Sequence, residues 1–213
     1  MRNNENGRSM VEMLGVLAII GVLSAGGLAG YSKAMFKHKL NTTMEQITML
    51  VTNIRTAYGT QRTYTGLDTA KVDQLGALPA GIRNGDVYRN PFKGTVNVSA
   101  AEARKGVAAS GFVVEYTNLP KEACIALATA DFGSGAGSGF IGVYVEGDEG
   151  VGNAHTPANA EDKVFDPELY IGTGAGKTDG EEYAKARGEG EAYQMSAAIT
   201  ACSEPSSITW KFY

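Results

Sequence analysis

The N-terminal stretch that decides the fold reads Gly7-Arg8-Ser9-Met10-Val11-Glu12, followed directly by Met13-Leu14-Gly15-Val16-Leu17-Ala18-Ile19-Ile20-Gly21-Val22-Leu23. From Met13 to Gly30 the chain has eighteen successive residues without a charge. An apolar helix of that length is just long enough to cross the hydrocarbon core of a membrane. Glu12 stands at the head of this segment, and an ionisable side chain inside the hydrocarbon layer costs roughly 2.5–3.5 kcal/mol on insertion scales. Glu12 is therefore a candidate functional residue.

Three features of this stretch occur together: Gly7, then Glu12 at the fifth position when Arg8 is counted as the first, then the uninterrupted apolar segment. In this combination the stretch resembles the N-terminus of a type IV prepilin. The resemblance implies that residues 1–7 are a leader, which a prepilin peptidase removes after Gly7. It also implies methylation of the new N-terminus at Arg8 and a role for Glu12 in assembly. Arg8 departs from the apolar residue with which mature chains of this family usually begin.

An alternative interpretation of the apolar segment is a secretory signal peptide or an ordinary membrane anchor. Residues 25–30, Ala-Gly-Gly-Leu-Ala-Gly, supply small residues of the kind found at a signal-peptide cleavage site. Lys33, Lys37 and Lys39 come after the segment, and the positive-inside rule alone would leave the rest of the chain in the cytoplasm. The prepilin-type pattern of glycine and glutamate favours the prepilin over both alternatives.

The helix is predicted to continue beyond the membrane-spanning segment as far as Tyr58, just before Gly59. Its second half carries apolar residues at successive spacings of 4, 3, 4, 3 and 4, which is typical of an amphipathic helix. These residues are Leu40, Met44, Ile47, Val51, Ile54 and Tyr58. The opposite face is polar and includes Asn41, Glu45, Gln46, Asn53 and Arg55. Residues 8–58 are accordingly predicted to form a transmembrane and assembly helix.

Three glycines, Gly26, Gly27 and Gly30, lie near the middle of this helix. Each glycine costs roughly 1 kcal/mol of helix stability relative to alanine. Small residues in a membrane helix allow close packing against another helix. A second interpretation is local unwinding that lets an assembled fibre stretch. The sequence leaves both interpretations open.

Residues 59–213 are predicted to form a globular head domain of the α+β class, in which the long helix packs on an antiparallel sheet. A turn is predicted at Asn90-Pro91-Phe92. Strands are predicted at Thr95–Ser99, Gly111–Tyr116, Phe140–Val145 and Ile208–Tyr213, and short helices at Asp68–Gly76, Pro120–Ala128 and Ala192–Cys202. The large head resembles type IVb pilins, whereas the short leader resembles the other subtype.

The chain has two cysteines, Cys124 and Cys202. In an exported chain two widely spaced cysteines most simply form one disulfide, whereas in a reducing compartment they would remain free thiols. The segment 124–202 contains 13 acidic and 4 basic residues, a net charge of −9 against −4 for the whole chain, so the remainder carries +5. This acidic region is predicted to be exposed to solvent.

No catalytic, cofactor-binding or metal-binding constellation is predicted. The glycine-rich run 172–178 resembles a phosphate-binding loop, but Ile171 stands where that motif requires glycine. His38 and His155 do not lie near a cysteine, and the acidic pairs 148–149 and 161–162 lack the spacing of a calcium loop. Basic residues do not cluster into a nucleic-acid-binding stripe.

The sequence therefore predicts a structural protein and not an enzyme. The resemblance implies a subunit of a type IV pilus-like fibre, which is stored in the bacterial inner membrane and becomes part of an extracellular pilus. The implied partners are other copies of the chain in a helical homopolymer, the prepilin peptidase and the pilus assembly machinery. Two alternatives remain: a minor pilin or type II secretion pseudopilin, and a single-pass membrane-anchored protein whose head binds a ligand.

Overall fold

The predicted N-terminal helix is present in the computed structural model as α1, Glu5–Tyr58. The structure describes residues 5–103, 107–132, 139–146, 181–184, 195–202 and 204–212. The chain divides into two compact units, 1–41 and 42–213, so α1 contributes residues to both.

Further secondary structure in the described ranges belongs to the second unit. Its helices are α2 (Thr69–Gln74), α3 (Lys121–Ala128) and α4 (Met195–Ala201). Its strands are β1 (Arg83–Asn84), β2 (Val87–Tyr88), β3 (Val96–Ala101), β4 (Gly111–Leu119), β5 (Phe140–Glu146), β6 (Glu181–Ala184) and β7 (Ser206–Phe212). The sequence did not predict β1, β2 or β6, which are only two to four residues long.

Five of the described strands form an antiparallel sheet in the order β3-β4-β7-β5-β6. The C-terminal strand β7 lies in the middle, where Trp210 pairs with Val114 on one side and Val143 on the other. This placement supplies the terminal strand with hydrogen-bonding partners along both edges. The predicted α+β class, with a long N-terminal helix and an antiparallel sheet, is confirmed.

The second half of α1 packs against the apolar face of this sheet through aromatic side chains. Tyr58 contacts Tyr64 with ring centroids 5.4 Å apart, and Tyr64 contacts Phe112 at 4.9 Å. Phe112 in turn stacks on Phe212 at 5.5 Å, which joins the end of α1 to the two central strands. Offset and tilted ring pairs at these distances stabilise a core beyond the area they bury.

A charged residue of α1 takes part in the same contact. The guanidinium carbon of Arg55 lies 5.5 Å from the ring centroid of Phe212. A cation over an aromatic face is attracted by the ring quadrupole. Burial lowers the pKa of Arg55, and the nearby Tyr64 side chain opposes this shift. The arginine predicted on the polar face of the helix therefore stabilises its packing on the sheet.

The polar face of α1 is partly covered by the connection that comes after the helix. Gln46 is buried, and its Nε2 donates a hydrogen bond to the carbonyl of Ala80 at 3.3 Å. Asn53 Nδ2 likewise donates to the carbonyl of Ala77 at 2.9 Å. These amides bind backbone acceptors that secondary structure leaves unused, so the helix is held on a second side.

Asn90 fixes the end of this connection to the sheet. Its Oδ1 accepts hydrogen bonds from the backbone N–H of Phe92 at 2.9 Å and of Gly94 at 3.0 Å, while its Nδ2 donates to the carbonyl of Thr117 at 2.8 Å. The side chain is only 5% exposed. A Cβ atom at Gly94 would overlap the carbonyl of Thr117, so glycine is required there. The predicted turn is therefore a docking point between the connection and β4.

The second face of the sheet carries polar side chains, several of which are nevertheless buried. The register places Asn97 opposite Glu115 and Glu115 opposite Thr209. Asn97 Nδ2 donates to Glu115 Oε2 at 2.8 Å. Lys211 is buried on the same face, which lowers its pKa to about 8, while the charge of Glu102 acts in the opposite direction. Alternating polar residues along β7 thus do not mark a solvent-exposed face.

Cys124 of α3 and Cys202, which comes directly after α4, form a disulfide with a Cα–Cα distance of 5.8 Å. Both cysteines are buried. The bond joins residues separated by 78 positions and holds the ends of the acidic segment together. The alternative of two free thiols is therefore excluded. Apart from Glu181–Ala184, the predicted acidic region 147–191 lies outside the described residues.

We predict that Asn90→Ala lowers the free energy of unfolding by about 2–4 kcal/mol, because two N–H groups and one carbonyl lose their buried partner. Trp210 is the single tryptophan of the chain and is buried, so its fluorescence reports unfolding in urea. The matched control is Asn84→Ala, at an exposed position, with an expected change within about 0.5 kcal/mol. Equal effects of the two substitutions would show that Asn90 does not anchor the connection.

We predict that the double variant Cys124→Ala/Cys202→Ala loses about 2–5 kcal/mol of stability, because the unfolded chain is no longer constrained by the long loop. Limited proteolysis should cut first within residues 147–191, while circular dichroism still shows the helix content of α1. Wild-type protein in reductant is the control and should reproduce the loss. Alkylation of both thiols in native exported protein would contradict the prediction.

Candidate functional site

The first half of α1 presents an apolar surface that its own unit does not cover. Twelve large apolar side chains are each 53% to 75% exposed. They are Met10, Val11, Met13, Leu14, Val16, Leu17, Ile19, Ile20, Val22, Leu23, Leu28 and Tyr31. By length and composition the helix from Met10 onward is able to cross a membrane, a property that signal sequences share. A helix that is apolar all round is stable only in lipid or against other protein.

The predicted processing and assembly residues lie at the start of this surface. α1 begins at Glu5, so the backbone of Gly7 and Arg8 is helical, whereas the side chains of residues 5–9 lie outside the description. Glu12 is exposed on the same helix. Positions 8 and 12 are four residues apart, so they share one face of the helix about 6 Å apart along its axis.

The three glycines at 26, 27 and 30 lie within continuous helix. A Cβ atom built at any of them meets, apart from the nearby backbone of its own helix, no atom of the described residues within 4 Å. No contact inside a single described copy therefore requires a small residue at these positions. Close packing involves a second helix in the membrane and local unwinding involves an assembled fibre, so both interpretations depend on partners outside a single copy.

The second half of α1 carries an exposed threonine strip that sequence periodicity did not single out. The hydroxyls of Thr48, Thr52 and Thr56 donate to the carbonyl four residues earlier at 2.9, 2.8 and 2.8 Å. Met49 extends the strip with an exposed apolar side chain. Because each hydroxyl proton is already donated within the helix, this face can pack against protein without leaving a hydroxyl donor unpaired. The repeat of threonine at every fourth residue is the sequence signal from which this face could have been predicted.

The disulfide belongs to the second unit, whereas the processing and assembly residues belong to the first. Among the described residues no group of three or more His, Cys, Asp or Glu side chains is placed to hold a metal ion. The glycine-rich run 172–178, the acidic pairs 148–149 and 161–162, and His155 lie outside the described ranges.

Two solved structures resemble the fold. The crystal structure of a type IV b pilin from Salmonella typhi shares 17% identity, covers 80% of this chain and 97% of its own, and has a TM-score of 0.44. The crystal structure of TcpA, a type IV pilin from Vibrio cholerae El Tor biotype, shares 15% identity, covers 83% of this chain and 99% of its own, and has a TM-score of 0.49.

Sequence comparison gives the family. The family model described as PilS N terminal matches residues 37–164. The major structural subunit of bundle-forming pilus from Escherichia coli O127:H6 (strain E2348/69 / EPEC) is 30% identical over 149 residues, which cover 69% of this chain and 75% of that protein. The subunit of the same name from Escherichia coli O111:H- is 30% identical over 134 residues, 62% of this chain and 68% of that one. The fold consists of a long N-terminal helix, an antiparallel sheet and a disulfide. The chain belongs to the type IV pilins of the PilS N-terminal family.

Proposed function

We propose that this chain is the structural subunit of a type IV pilus-like fibre, that a prepilin peptidase cuts it after Gly7, and that copies polymerise through α1. The observation that carries the proposal is the uncovered apolar surface between Met10 and Tyr31. Burial of a Val, Leu, Ile, Phe or Met side chain contributes about 1.5–3 kcal/mol. Eleven of the twelve exposed side chains are of these types, and leaving them in water would therefore cost on the order of 20 kcal/mol.

Two environments remove this surface from water. In the precursor, the charge-free segment Met13–Gly30 has the length to lie in the inner membrane. In the fibre, neighbouring copies of α1 replace the lipid. The threonine strip extends the contact with uncharged side chains at Thr48, Thr52 and Thr56. Transfer from lipid to protein keeps the apolar surface buried throughout, so neither state exposes it.

The two Escherichia coli relatives are named as major structural subunits, which favours an abundant fibre subunit over a minor pilin or a secretion pseudopilin. The proposed location is the bacterial inner membrane for the precursor and an extracellular pilus for the assembled subunit. The proposed role is structural, without a catalytic step. Abundance in sheared fibres separates a major subunit from a minor one, because a major subunit greatly outnumbers the rest.

Glu12 is proposed to set the axial register of each incoming copy. At the edge of the apolar segment its carboxylate reaches the membrane interface at little cost. When helices bundle, the surroundings become apolar and the carboxylate needs a partner. The proposed partner is the amino terminus of Arg8, either in the same chain, four residues away, or in the neighbouring subunit.

We predict that protein sheared from cells begins at Arg8 and carries a methyl group on its new amino terminus. Intact-mass and N-terminal peptide mass spectrometry measure both features. A plain membrane anchor would retain Met1, and a secretory signal peptide would give a start near Gly30. Either of those N-termini would refute the proposal.

We predict that Glu12→Ala is inserted in the inner membrane and cut after Gly7, but that fibre yield falls by roughly 100-fold or more. This estimate comes from about 3–5 kcal/mol for a broken buried ion pair, at 1.4 kcal/mol for each tenfold change. Fibre yield is measured by shearing and immunoblotting, and processing by mass spectrometry of the membrane fraction.

The matched control is Glu122→Ala, which makes the same chemical change at an exposed position of α3. It should leave fibre yield near the wild-type level. A normal yield from Glu12→Ala would show that Glu12 is a tolerated interfacial charge without a role in assembly.

A further inference from the structure

A band of exposed aromatic and basic side chains lies at the C-terminal end of the apolar surface of α1. Tyr31 is 64% exposed, and Lys33 and Lys37 are also exposed. All three residues belong to the first unit. We use the name interfacial band for Tyr31, Lys33 and Lys37. Lys39 is excluded from the band because it is half-buried and has a partner of its own.

The spacing along the helix places the interfacial band at the level of lipid headgroups. When the hydrocarbon core ends at Gly30, Lys33 lies about 4.5 Å beyond it and Lys37 about 10.5 Å beyond it. The headgroup layer on each side of a bilayer is about 5–8 Å thick. Side chains of a helix lean toward its N-terminus, which here is toward the membrane. Both lysines therefore reach the phosphate level, and Tyr31 lies at the boundary that favours aromatic residues.

On the N-terminal side of these lysines, α1 has no acidic residue close enough to neutralise them. The sequence has no Asp or Glu between Glu12 and Glu45. Glu12 is about 32 Å from Lys33 along the helix axis. Along α1, therefore, no carboxylate between Glu12 and Glu45 competes with an external anion for these lysines.

The charges also oppose the orientation that pilus assembly requires. Positive residues after an apolar segment favour a cytoplasmic location for the C-terminal part of the chain, whereas the proposed function places the interfacial band on the opposite side of the inner membrane. An attraction between these lysines and that surface of the membrane would offset the positive-inside preference. Lys33 and Lys37 are separated by four residues and share one helix face, so both can contact the same headgroup region.

We infer that the interfacial band binds anionic phospholipid headgroups in the outer leaflet of the inner membrane and holds the subunit at a fixed depth before assembly. Because the band meets a membrane only when the subunit is stored there, this binding rests on the proposed function. Each lysine near an anionic surface contributes about 1 kcal/mol, or about fivefold in affinity, so the pair gives up to about 30-fold.

The test uses the full chain reconstituted in mixed phosphatidylcholine–phosphatidylglycerol vesicles. Electron spin resonance with spin-labelled lipids measures the association of each lipid with the protein. The wild-type chain is expected to prefer phosphatidylglycerol several-fold, and the preference should decrease as salt is added. Lys33→Gln/Lys37→Gln should abolish it. The matched control Lys71→Gln/Lys121→Gln removes the same charge from exposed positions of the head and should retain it.

The outcomes separate this binding from the proposed function. A wild-type chain that is washed off the vesicles by alkaline carbonate would refute membrane storage itself. A chain that remains inserted but shows equal association with both lipids would refute the lipid binding alone. Retained preference in Lys33→Gln/Lys37→Gln, together with lost fibres in cells, would assign the lysines to contacts between copies and would also overturn the inference.

Discussion

The apolar surface between Met10 and Tyr31 constrains every other part of the molecule. Its side chains cover the whole circumference of α1, so no single partner helix can bury them. Lipid covers such a surface from all directions, and a bundle of several helices does the same. A globular domain on one side of the helix cannot. Under the proposed function the chain is consequently stored in lipid and then covered by neighbouring copies, and its head has to fold in both states.

The head meets this requirement by holding the second half of α1 through contacts that are independent of the first half. Tyr58, Tyr64, Phe112 and Phe212 form a continuous series of ring contacts from the helix to the central strands. Hydrogen bonds from Gln46 and Asn53 fix the connection that comes after the helix. The threonine strip remains exposed, and its hydroxyls donate to the helix's own carbonyls. One side of the helix is thus committed to the head while another remains available for a neighbouring copy.

Much of this organisation could be predicted from the sequence, because its signals are local. The charge-free run, the stripe from Ile47 to Tyr58 and the alternation along the last strand each reflect one periodicity of one element. The central position of β7 could not be predicted, because strand order depends on which distant edges meet. Nor could the burial of Lys211, since alternation shows that two faces differ and does not show what covers the second. Asn90 was predicted as a turn residue, but its bond to Thr117 joins segments 27 residues apart.

The same contrast between local sequence signals and distant partners applies to the candidate site. Gly7, Arg8 and Glu12 were predicted from a motif, and their proposed roles depend on an enzyme and on neighbouring copies, of which a single chain carries little geometric trace. The absence of any contact around Gly26, Gly27 and Gly30 within the described copy has the same physical origin. The proposed roles of these positions depend on states in which other helices or lipids are present. The structure of one subunit therefore identifies them by what the described residues leave uncovered: an apolar surface, a carboxylate at its edge, glycines that meet only their own helix and lysines with no acidic residue near them along α1.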